Sequence, residues 1–129
     1  MNTRLTLLCA VIVGVMVGSR PALAHHGAAA YETQNLTTLA ATVTALEWRN
    51  PHALLRFDVK DEGGAIAPWT AEGAGLVILV RAGWHREVLK PGDRITVIGR
   101  RAQNGTNSMI LQRVVLPTGQ ELNSFLPPR

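Results

Sequence analysis

The strongest constraint on the fold is a repeated two-residue alternation of apolar with more polar side chains, broken at short intervals by Gly, Pro and Asn. Leu39, Ala41, Val43 and Ala45 alternate with Ala40, Thr42 and Thr44, the pattern of a strand with one buried face. That run ends at Asn50-Pro51, a dipeptide that initiates a turn. Leu55, Phe57 and Val59 alternate with Arg56, Asp58 and Lys60 in a second strand. Asp61-Glu62-Gly63-Gly64 follows as a hairpin turn, because glycine accepts the positive φ that such turns demand. A third strand runs from Ala65 to Glu72, and Pro68 assigns it to an edge, since proline donates no ladder hydrogen bond.

At Gly73 the period changes. Leu76, Val77, Leu79 and Val80 recur at helical spacing, and Gly83 stands where a helix stops. Leu89-Lys90-Pro91-Gly92-Asp93 is a turn that launches a fourth strand over Ile95 to Gly99. Gln103 to Asn107 is a second hairpin turn, and Met109 to Leu116 a fifth strand, closed by Pro117-Thr118-Gly119. The chain therefore reads as all-β with one short helix. Three strands, a helix and two strands is the order of an OB-like five-stranded barrel, with the helix plugging the gap between the third and fourth strands. A small open β-sandwich is the alternative of similar length.

Residues 1–24 read as an export signal. Arg4 supplies the positive start, Leu5 to Val17 the apolar segment, and Ala22-Leu23-Ala24 a small-x-small cleavage site. The apolar run ends at Gly18-Ser19-Arg20-Pro21, short of the about 20 residues a membrane span requires. Cleavage after Ala24 places the protein in the periplasm or outside the cell, with no stable membrane insertion. Of 129 residues, about 105 then remain, the size of one domain with one core. Residues 25–38 form an N-terminal arm, 39–122 the barrel domain and 123–129 a tail. The one cysteine, Cys9, leaves with the signal, which excludes disulfides, thiol catalysis and cysteine-ligated metals. Arg4 and Arg20 leave as well, lowering the formal charge from +4 to +2. The remaining basic residues are interleaved with acids, so no tract argues for nucleic acid.

Ala24-His25-His26, Trp48-Arg49-Asn50-Pro51-His52, Gly83-Trp84 and Leu89-Lys90-Pro91-Gly92-Asp93 together resemble a family of small exported bacterial proteins classed as a domain of unknown function. The resemblance runs from His25 to Leu122. It implies export and a small β-rich domain, and transfers no catalytic residue. His85 departs from the pattern, standing where the family commonly has Thr.

All four histidines, His25, His26, His52 and His85, survive cleavage. His25 at a free N-terminus offers its α-amine and Nδ1 as a chelating pair, and His26 and His52 offer further imidazoles. Such nitrogen donors favour copper, which makes His25, His26 and His52 the candidate metal ligands. The same histidine pair also reads as a solvated leader arm, and His52 as a loop side chain bonded to a nearby carbonyl. Trp48 and Asn50 flank the Pro51-His52 loop and are the candidate face for a small molecule or exported protein partner. Trp48, Trp69 and Trp84 read as fillers of a small core more than as a ligand face, Trp48 being the exception because it precedes the Asn50-Pro51-His52 loop. No G-x-S-x-G, H-E-x-x-H or phosphate-binding loop occurs, and no sequence spacing pairs the carboxylates for acid–base work. The expected role is that of a non-catalytic binding protein.

Overall fold

The computed structural model describes residues 30–126. The elements are β1 (Thr37–Glu47), β2 (Leu54–Lys60), β3 (Ile66–Glu72), α1 (Leu76–Arg81), β4 (Arg94–Arg101), β5 (Ser108–Val115) and β6 (Glu121–Asn123). The strands lie in the order β3-β2-β1-β4-β5-β6, and a further pairing of β3 with β5 closes the first five into a barrel, with β6 outside. This is the OB-like order that the alternation pattern implies, rather than an open sandwich. The signal segment, most of the arm including His25 and His26, and residues 127–129 lie outside the described residues.

Two local irregularities make closure feasible. β1 pairs with β4 along Thr37–Thr42 and with β2 along Thr42–Glu47, and a bulge between Val43 and Ala45 bends it from one neighbour to the other. A bulge of this kind adds twist and redirects a strand. A second irregularity lies opposite Ile98 and Gly99 of β4, which pair with Arg113 and Leu111 and leave Gln112 of β5 as the extra residue. There the backbone of β5 comes so close that a Cβ on Gly99 would meet the Ile110 carbonyl oxygen and lie 2.8 Å from Met109 Sδ. Only glycine fits.

The inward faces of the strands fill the barrel. Val43, Leu55, Phe57, Ala71, Val97, Met109, Leu111 and Val114 are all buried. Phe57 stacks on Trp69, with ring centroids 6.4 Å apart, in an offset arrangement that aromatic quadrupoles favour. The Arg101 guanidinium lies 4.8 Å above the Trp69 ring. Trp84 is also buried and donates from Nε1 to the Asn123 carbonyl at 2.8 Å. These two tryptophans are core residues. Pro68 sits opposite Asp58 of β2, in the part of β3 that precedes the Thr70–Glu72 pairing with β5, so its missing N–H faces no ladder.

The helix ends as glycine at position 83 dictates. Gly83 has φ of +93°, its N–H donates to Val80 at 3.1 Å, and the Trp84 N–H donates to Leu79 at 2.9 Å. This pair of bonds is a Schellman cap, which satisfies the last carbonyls of the helix. Of the apolar residues that mark the helix, Leu79 is buried, while Val77 and Val80 are 66% and 59% exposed, as is the neighbouring Ile78 at 38%.

The chain is anchored further than the alternation reveals at both ends. Tyr31 bridges to Ala102, and the Glu32 N–H donates to the Arg101 carbonyl at 2.9 Å. At the other end β6 pairs with β5, although three residues are too few to show a period. The Ser124 that follows is fully buried, and its Oγ accepts from the Ala74 N–H at 3.1 Å. Among the described residues no helix is long and apolar enough to cross a membrane.

Gly99→Ala is expected to lower unfolding free energy by about 1–3 kcal/mol through overpacking. Ser124→Ala is expected to cost about 1–3 kcal/mol by orphaning the buried Ala74 N–H. Urea denaturation of each purified variant checks both values.

Candidate functional site

His52 lies in the β1–β2 loop, at the point where the loop becomes a ladder. The Ala53 N–H donates to Ala74 at 3.3 Å, and the Gly73 N–H donates to Ala53 at 2.8 Å. These bonds extend the β2–β3 pairing beyond Leu54↔Glu72. Residues two apart share a face of a strand, which sets His52 diagonally across from Glu72, within reach of a long side chain. His52 Nδ1 and Glu72 Oε1 are in direct contact, with the two side chains 53% and 46% exposed. The acceptor is therefore a carboxylate from the next strand rather than a neighbouring carbonyl.

The loop before His52 is held in place. The Asn50–Pro51 peptide is cis. Asn50 Oδ1 accepts from the Leu76 N–H at 3.4 Å, at the start of α1. The Pro51 carbonyl would lie 3.1 Å from a Cβ on Gly75, so the loop rests directly on the segment that enters the helix. Trp48 is partly buried against the core. Of the expected recognition face, Asn50 thus supports a helix end and Trp48 packs inward. His85 is exposed in the turn after α1, where its carbonyl accepts from the Val88 N–H at 3.1 Å.

A cleft of about 210 Å³ opens beside His52, lined by Arg49, Pro51, His52, Leu54 and Glu72. Its electrostatics are set by a second group at the end of β1. Glu47 accepts from Arg56 Nε and pairs with Arg49 Nε at 3.2 Å. The Arg56 hydrogen bond holds the Glu47 carboxyl below its ordinary value of 4.5; desolvation opposes the shift, and the charges of Arg56 and Arg49 add to it. The Arg49 guanidinium is thereby taken up by Glu47, and Glu72 faces the imidazole. Two larger surface grooves, of about 630 and 300 Å³, contain no histidine.

Among the described residues no three His, Asp or Glu side chains come together as a metal-ligating group. The structure thus brings His52 and Glu72 together, while the proposed co-ligands His25 and His26 lie outside the described residues. Glu72 is the residue that spacing along the chain does not single out.

A family profile matches residues 12–111, which span the loop with His52, the helix and the first half of β5. The chain belongs to DUF6152, a family of unknown function. No curated protein and no solved structure matches it. This DUF6152 member is accordingly a small β-barrel protein of a family of unknown function.

The lowered Glu47 pKa makes a signed prediction. Ionised Glu47 stabilises the fold above its unfolded-state pKa, and that contribution is lost as pH falls through the lower folded value. Thermal melts of the protein and of Glu47→Gln are expected to differ near neutral pH and to converge in acid. A constant difference across that range contradicts the assignment.

Proposed function

We propose that the protein is an exported, non-catalytic binding protein that takes up copper through His25, His26 and His52. The observation that carries this reading is the setting of His52, an exposed imidazole in an open cleft on an anchored loop. His25 contributes its imidazole and the α-amine freed by cleavage after Ala24, and His26 a further nitrogen. Nitrogen donors of this kind suit Cu(II) above the other common divalent ions.

A second reading is a protein-interaction or small-ligand module without metal. It is favoured by the outward Val77, Ile78 and Val80 of α1, three apolar side chains in a six-residue helix.

Cu(II) titration of the mature protein followed by calorimetry separates the two. Sub-micromolar binding is expected, weakened at least tenfold by one extra N-terminal residue and by His52→Ala. It is also expected to weaken as pH drops through the ordinary imidazole range near about 6.5, because protons compete for the same nitrogens. Absence of binding, or binding that neither change weakens, overturns the copper reading and leaves the interaction module.

A further inference from the structure

We infer that Glu72 is a positioning residue for His52: its carboxylate fixes the Nδ1–H tautomer of the imidazole and presents Nε2 as the donor nitrogen. The role in metal binding rests on the copper reading above, whereas the tautomer is a property of the metal-free protein.

The inference follows from the donor and acceptor inventory of the two groups. An ionised carboxylate only accepts hydrogen bonds. The nitrogen in contact with Glu72 is Nδ1, so Nδ1 carries the proton. A neutral imidazole holds one N–H, which leaves the lone pair on Nε2. Exposed histidine side chains in water favour the opposite tautomer, with the proton on Nε2. The contact with Glu72 therefore selects a form that solvent alone does not.

Both partners are set on ladders rather than on free loop tips. Glu72 pairs with Leu54 on one side and Ile110 on the other. His52 adjoins Ala53, whose N–H and carbonyl are both bonded to the 73–74 segment. Arg49, the cation that lines the cleft, is engaged by Glu47. At roughly half exposure the His52–Glu72 pair adds little to stability, and its consequence is orientation. A carboxylate behind a ligating histidine fixes the ring and raises its basicity, and loss of such a partner typically weakens metal binding by about 10–100-fold.

Long-range ¹H–¹⁵N NMR of the mature, metal-free protein tests this at a pH where the His52 ring is neutral. The Nδ1–H form is expected to predominate, and to give way to Nε2–H in Glu72→Ala. Glu72→Gln, which retains an accepting amide oxygen, is expected to restore part of the Nδ1–H population. Backbone amide spectra identify any variant that has lost the fold, and the wild-type tautomer by itself remains decisive in that case. Predominant Nε2–H in the wild-type protein overturns the inference, as does a ratio unchanged in folded Glu72→Ala. Cu(II) titration of the same samples separates this from the copper reading. A protein with the Nδ1–H tautomer that binds no copper retains the Glu72 assignment and overturns the copper reading. Copper binding of undiminished affinity in Glu72→Ala overturns the positioning role in metal binding and leaves the copper reading.

Discussion

The structure depends on a three-residue parallel ladder, Thr70–Glu72 against Ser108–Ile110. Every other strand pairing in the barrel is antiparallel, and without this ladder they describe an open, twisted sheet. Closure encloses Phe57, Leu55, Met109 and Val97 on all sides. It also removes the exposed edge at the end of β3, where Glu72 lies. The β-bulge in β1 and the close approach at Gly99 are the local distortions that bring the two ends of the sheet together, since a barrel requires its strands to bend and stagger.

Much of this was legible in the residues. The two-residue alternation locates β1 and β2, where one face is buried and the other wet, and the Gly-, Pro- and Asn-rich turns delimit β3, β4 and β5. Gly83 ends the helix through a cap that requires positive φ, and Pro68 occupies the part of its strand that precedes closure. β6 was not legible, because Glu121–Asn123 is too short to carry a period and is defined by its partner. The anchoring of Ser124 was hidden for a related reason: a lone serine gives no sign that its hydroxyl will meet the Ala74 N–H. Of the four apolar residues that mark α1, the spacing does not show that Val77 and Val80 face outward. A helix of six residues has room for one contact face, which Leu79 and, three residues before it, Leu76 supply.

The candidate site was half legible. His52 is conspicuous beside Pro51, whereas Glu72 is twenty positions away and bears no motif. Its proximity follows from hairpin register: reflecting β2 about the Asp61–Ala65 turn, centred on Gly63, sets Leu54 opposite Glu72. The turn was recognisable, so the register was available from the sequence, though the contact with His52 also requires the ladder to continue through Ala53. Asn50 shows the reverse case. It is a conspicuous polar residue in the loop, and its side chain serves the first turn of α1.

The placement of the closing partners also governs when the fold can form. β3 meets β5 only across the helix and β4, and the segment behind Glu72 is secured by Ser124 at the far end of the described chain. A nascent chain lacking those later residues has β1, β2 and β3 but no partner for the edge of β3. The β3 wall of the His52–Glu72 cleft thus gains its second neighbour only once β5 is present. Contacts this distant in sequence slow folding, and they leave an interval in which the chain remains open.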